Sequence, residues 1–193
     1  MSTQRWVTTV YVTLNDTRAA LVRAGIDLLE ETGSADIGLR AIARRAGVSH
    51  GAPRRWFPTH RSLLAAIAEQ GLRDPTDILA AAAAAPEHGI TDVAHSYVEF
   101  ARCRPAMFTL IFRHDLLEGS GAELRPVSRP LFSWVVDLVQ RTTTTPDPAD
   151  AAAALWVGIH GIAMLSSTGS LQLATSGVNE NELIDRVVGN SLR

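Results

Sequence analysis

The segment from Leu39 to Leu64, LRAIARRAGVSHGAPRRWFPTHRSLL, constrains this chain more than any other. Leu39, Ile42, Ala43 and Ala46 recur at helical spacing, so a short helix buries that face and leaves Arg40, Arg44 and Arg45 on its others. Gly47 stops the helix by allowing a left-handed C-terminal conformation, and Val48 plugs the turn. Ser49 is a good N-cap for a second helix through about Phe57, with Pro53 in or near its first turn and Pro58 at its end. Thr59 is the candidate cap of a third. The segment carries six arginines (Arg40, Arg44, Arg45, Arg54, Arg55, Arg61) and neither Asp nor Glu. A polar-capped short helix after a glycine turn, studded with Arg, has the shape and charge to enter a DNA major groove.

The net charge of -2 hides a polarity. Residues 1–73 hold ten arginines against six acids, and residues 74–193 hold eight against fourteen. Only the first part is expected to meet a polyanion. Lysine is absent, so every cationic contact can be a bidentate guanidinium. The single cysteine, Cys103, excludes an internal disulfide, suits a reducing cytoplasm, and is expected to be a small buried hydrophobe. No basic-then-apolar leader opens the sequence. The longest apolar run, about 151–165, is interrupted by His160 and two glycines and reads as shorter than the roughly 20 residues of a membrane span. A cytoplasmic location with no membrane partner is therefore expected.

Along the chain, residues 1–14 read as a flexible arm, because Val7, Val10, Val12 and Leu14 with interleaved Thr show no helical period. Asn15 or Asp16 can cap a helix to about Glu31, ended by Thr32-Gly33. The helix from Thr59 buries Leu63, Leu64, Ile67, Ala68 and Leu72; Pro75 is expected to kink or break it before it resumes through the alanines 80–85. Pro86 and Gly89 punctuate. Helical patterns follow at about 90–103, 105–113, 123–143, 148–168 and 179–190, with loops at 119–121, 145–148 and 175–177. The fold class is all-α: a helix-turn-helix head of three helices at 15–58, joined by a connecting helix to a larger helical body, with 59–193 taken together as the ligand-binding and dimerisation domain.

In a helix-turn-helix, the second helix lies in the groove with its N-terminal residues at base edges, while flanking positions hold phosphates. Ser49, His50, Gly51 and Ala52 then approach the DNA, and Arg54, Arg55 and Trp56 form the contacting side. Arg40, Arg45, Thr59, His60 and Arg61 are phosphate candidates. The same segment resembles the N-terminal signature of TetR-family transcriptional regulators. Leu39, Ile42, Ala43, Ala46, Gly47, Val48, Ser49, Gly51, Ala52, Arg55, Phe57, Leu63 and Leu64 match it. The resemblance implies a homodimer on a palindromic operator, released when a small molecule enters the body. Four positions depart from the usual pattern. Arg54 replaces a Tyr and could reach a phosphate or guanine O6 and N7. Trp56 stands where His or another aromatic is common, either against a backbone sugar or packed under the head. His60 replaces a Lys, which weakens that anchor or hands it to Arg61. Gly38 stands where Thr or Ser would cap the first helix of the motif.

In the body, Tyr97 to Phe100 and Arg104 to Phe112 suggest two helices hinged at Pro105. Trp156, His160 and Gly161 add a Trp-x-x-x-His-Gly motif, with Trp and His on one helix face. Together these resemble the C-terminal domain of the TetR subgroup bearing that motif. The pocket candidates are Phe100, Met107, Phe108, Phe112, Trp134, Trp156, His160 and Met164, large apolar side chains beside a few polar ones, though any of them could equally be core. By resemblance the last two helices form the dimer interface. The ligand is an unidentified small molecule; no metal or other cofactor is expected. Pro75 is the candidate pivot by which a ligand changes the head. Two rivals remain: an enzyme or metal site at His95 and Glu99 with His114-Asp115, which lacks any nucleophile motif, and a non-sensing DNA binder or activator.

Overall fold

The computed structural model describes residues 3–84, 89–113 and 125–193, with side chains over 17–73, 89–113 and 130–193. The described residues are helical and connecting segments without strands. The expected loop at 119–121, Pro86 and the His114-Asp115 pair lie outside them.

The helices are α1 (Thr3–Thr32), α2 (Leu39–Arg45), α3 (Ala52–Trp56), α4 (His60–Ala84), α5 (Ile90–Cys103), α6 (Pro105–Ile111), α7 (Arg125–Thr142), α8 (Pro148–Ser167), α9 (Ser170–Ala174) and α10 (Glu180–Ser191). They fall into two compact units. The first holds the described residues through Gly71 with those from Leu110 to Arg113; the second holds Leu72 to Thr109 and everything described from Arg125 onward. The opening turns of α4 belong with α1–α3 because Leu63, Leu64 and Ile67 are buried there. Gly25 makes this possible: a Cβ at that position would meet Ile67 Cδ1 at 2.3 Å, with Ile42 Cδ1 at 3.8 Å, so α1, α2 and α4 meet where no side chain intervenes.

Two expectations about α1 and α4 are corrected. α1 begins at Thr3, not at Asn15 or Asp16, so residues 3–14 are helical rather than a loose arm. Their sequence does carry a helical stripe, Trp6/Val7, Val10/Tyr11 and Leu14, hidden by the alternation of Val and Thr. α4 runs through Pro75 as one helix, which overturns the expected break, the kink being the other form of that expectation.

Around the turn, local chemistry explains what formed. Gly47 has φ +68, the Val48 N–H reaches the Ala43 carbonyl at 3.0 Å and the Gly47 N–H reaches that of Arg44 at 3.2 Å. This paired closure satisfies the last carbonyls of α2 with a left-handed glycine. Ser49 does not cap α3, which starts at Ala52 with Gly51 before it. A helix starting from Ser49 would need the N–H of residue 53 on the Ser49 carbonyl, and Pro53 has none. That carbonyl instead accepts the Ala52 N–H at 3.0 Å in a tighter turn. Thr59 does cap α4: its Oγ1 accepts the Ser62 N–H at 3.0 Å while Ser62 Oγ accepts the Thr59 N–H at 3.1 Å, a reciprocal capping box.

In the second unit, α8 is central and packs against α5, α7, α9 and α10. Asp147 accepts the Asp150 N–H at 3.0 Å to cap it. At Gly158 a Cβ would lie 2.6 Å from Val187 Cγ1, so this glycine sets how closely α8 and α10 approach. With 20 residues and a mean hydropathy of 1.4 in its most apolar window, α8 is long and apolar enough to cross a membrane, contrary to the sequence expectation. It packs against four helices of this unit and leaves Trp156, Val157 and Leu165 exposed. The short helix α9 was not foreseen.

Candidate functional site

All six arginines of the Leu39–Leu64 segment are exposed, as are Ser49, His50, Gly51 and Thr59. The apolar residues between them, Ile42, Ala43, Pro53, Phe57, Leu63 and Leu64, are buried. Helical periodicity thus sorts the segment into an apolar underside and a cationic outer surface. Arg54 and Arg55 occupy the last turn of α3, the half-buried Trp56 ends it, and the half-buried Ala52 begins it. Phe57 closes α3 through its N–H on the Pro53 carbonyl at 2.7 Å, and the Arg18 guanidinium of α1 lies 5.4 Å from its ring centroid. That cation–π contact ties the end of α3 to α1.

Two phosphate candidates already hold partners. Arg45 pairs with Glu31 of α1. Both side chains are solvent-exposed, where such a pair contributes about 1 kcal/mol or less, so a phosphate can displace the carboxylate. His60 donates from Nε2 to the Ile37 carbonyl at 2.7 Å. Gly38 gives α2 no side-chain cap, as its identity implied.

The second unit assembles a different cluster. The His160 ring stacks with Trp156 at 5.5 Å and tilts against Phe108 at 5.4 Å; Phe108 meets Tyr97 at 5.6 Å and Phe100 at 6.2 Å, both edge-on. The Tyr97 hydroxyl donates to His160 Nδ1 at 2.9 Å. Four expected pocket residues, Phe100, Phe108, Trp156 and His160, therefore come together. Tyr97 joins them and was missed as a site residue, although its place one turn before Phe100 signals a shared face. Met107 and Phe108 are fully buried and pack as core; Met164 is half-buried one turn beyond His160, and Trp134 is half-buried on α7. Phe112 lies past the end of α6, in the stretch grouped with the first unit.

An open groove of about 550 Å³ runs between α5 and α10, lined among others by His95, Glu99, Phe100, Arg102, Arg104 and Glu180. Phe100 is its one expected pocket residue; with Val98 and Ile184 it gives the groove an apolar floor beneath charged side chains. His95 Nε2 bonds Asp185 Oδ1 at 2.8 Å, and Glu99 accepts from Arg102 and from Cys103 Sγ. Cys103 is exposed rather than buried as expected. Among the described residues no group of three His, Cys, Asp or Glu side chains is placed to hold a metal ion.

Burial holds the Tyr97 phenol well above its ordinary range, and it holds the His160 imidazole below its ordinary 6.5. Both shifts favour the observed bond, a neutral phenol donating to a neutral ring. In the unfolded chain His160 takes up a proton near pH 6.5 that the folded chain refuses, so stability present above that pH is lost as pH falls. The denaturant midpoint is expected to decline from about pH 7 to about pH 5, and His160→Gln is expected to flatten the decline. Identical profiles for the two proteins would contradict this.

The sequence profile of the family described as tetracyclin repressor-like, C-terminal domain, matches residues 90–190. No curated protein matches the chain by sequence. Among solved structures, a protein of unknown function from Rhodococcus sp. RHA1 superposes with a TM-score of 0.77 at 26% identity, covering 92% of this chain and 94% of the other. A TetR-like transcriptional regulator from the same source gives 0.66 at 15% identity over 92% and 94%. The multidrug binding protein EbrR, complexed with imidazole, gives 0.62 at 21% identity over 91% and 89%.

Proposed function

This chain belongs to the tetracyclin repressor-like (TetR) family, and on that premise we propose that it is a sequence-specific DNA-binding transcriptional regulator whose α2–turn–α3 segment is a helix-turn-helix. The observation that carries this is the six exposed arginines of an acid-free segment that forms a helix, a left-handed glycine turn and a short second helix. α3 enters the major groove, Ser49 to Ala52 approach base edges, and Arg54, Arg55 and Trp56 make the side contacts. Arg40, Arg45, Thr59 and Arg61 hold phosphates.

The protein acts as a homodimer through α8 and α10. Val157 is 64% exposed, Trp156 43% and Leu165 42%, an apolar surface on the most apolar helix of the unit. Two copies joined there present their α3 helices about one DNA turn apart on a palindromic operator. The regulator is a repressor, released by a small apolar ligand at the Tyr97–Phe100–Phe108–Trp156–His160 cluster, with Met107, Trp134 and Met164 around it. The structural neighbour described as a multidrug binding protein, complexed with imidazole, supports a small molecule as the ligand. Release requires the ligand to favour one of two states, and α4, which runs through both units, carries the change with Pro75 as pivot. The protein works in the cytoplasm, with no membrane partner, no cofactor and no enzymatic activity. The full burial of Met107 and Phe108 favours a second reading, a non-sensing DNA binder or activator with a closed body.

Selection of bound sequences from random duplex DNA tests the proposal. A palindrome with half-sites about one turn apart is expected, and a bound apolar compound should lower affinity for it. Failure to enrich any sequence overturns the DNA reading; enrichment that no compound weakens favours the non-sensing alternative.

A further inference from the structure

One of the chain's departures from the family signature, His60, bonds to the residue just before another, Gly38. His60 opens α4, and its Nε2 lies 2.7 Å from the carbonyl of Ile37, the residue before Gly38. A carbonyl only accepts, so the ring carries its proton on Nε2. Each end of this contact is firmly seated. On one side the Thr59–Ser62 capping box fixes the first turn of α4. On the other Ile37 is buried in the core. Gly38 offers no side-chain oxygen to α2, whose first turn is closed only by the Ala41 and Ile42 N–H groups on the Gly38 carbonyl, at 3.0 and 3.2 Å. A side chain from 23 residues downstream thus pins the start of α2 where a local cap is missing.

We propose that His60 is a positioning residue rather than a phosphate anchor: its Nε2–H bond to the Ile37 carbonyl locks the start of α2 to the start of α4. α3 is strung between these two helices by short segments, Ala46–Gly51 and Phe57–Thr59, so the lock sets the angle at which α3 is offered to DNA. The proposal rests on the DNA-binding reading above, and salt dependence separates the two roles. Each lost phosphate contact lowers the steepness of log K against log salt by about one, whereas loss of a positioning bond lowers affinity without changing it.

The test measures binding of the full chain to its selected duplex across a salt series. His60→Ala should weaken binding about five- to tenfold, the range of one hydrogen bond, with an unchanged slope. His60→Gln, whose amide N–H can reach the same carbonyl, should restore most of the loss. Arg61→Ala, as the phosphate control, should reduce the slope by about two, one for each protomer of the dimer. A reduced slope for His60→Ala, no affinity loss, or no rescue by Gln overturns the positioning role. Should the wild-type chain bind no duplex, the DNA reading fails and amide exchange decides the lock on its own. His60→Ala should then speed exchange at Ala41 and Ile42 and Gln should slow it again, while unchanged exchange rates overturn the lock.

Discussion

Arg54→Ala combined with Arg55→Ala is expected to weaken binding to the selected duplex by about a hundredfold or more. An arginine paired with a base edge contributes about 1–3 kcal/mol, and each 1.4 kcal/mol is a tenfold change. Both side chains are exposed on the last turn of α3, and the bond that closes the helix runs between backbone groups of Phe57 and Pro53. The fold is therefore expected to keep its melting temperature within a degree or two, since exposed substitutions shift stability by roughly 0.5 kcal/mol or less. The single substitutions divide the roles. If Arg54 reads a base, Arg54→Ala relaxes preference at one operator position; if it holds a phosphate, affinity falls alike on all sequences. Arg54→Ala with unchanged affinity and base preference would remove Arg54 from the interface.

The second large effect concerns assembly. Val157 and Leu165 lie eight apart on α8, with Gly161 between them, and all three are exposed. In a symmetric dimer each substitution occurs twice, so Val157→Glu with Leu165→Glu places four carboxylates in the apolar contact. Burying unpaired charges of one sign costs several kcal/mol. The dimer dissociation constant, read by sedimentation equilibrium, is expected to rise by more than about a hundredfold. Operator affinity should fall with it, because a monomer engages one half-site. A variant that sediments as the same dimer would move the interface off α8.

What the sequence revealed about this protein follows the range of the forces involved. Local chemistry was readable: the Gly47 turn, the Thr59 cap, the buried stripe of α4 and the bounds of α5, α6 and α8 depend on neighbours a few residues away. The α3 start was misjudged because Ser49 has good cap chemistry, and the veto comes from the missing N–H of Pro53 four residues on. The arm was misjudged because Val7, Val10, Val12 and Leu14 were read without Trp6 and Tyr11, which complete a stripe at spacings of three and four. Contacts across helices were harder to see. Nothing local marks His60 as a partner of Ile37, Arg45 as a partner of Glu31, or Tyr97 as the donor to His160.

On the proposed function, the arginine surface of α2 and α3 binds duplex DNA by its phosphates and base edges. Affinity for the selected duplex measured from about 50 to 300 mM salt tests it most directly. A homodimer holding at least four phosphates should give a slope of log K against log salt of about -4 or steeper, and the Arg54, Arg55 double substitution should lower affinity at every salt concentration. A slope near zero, or equal affinity for wild type and double variant, would contradict it.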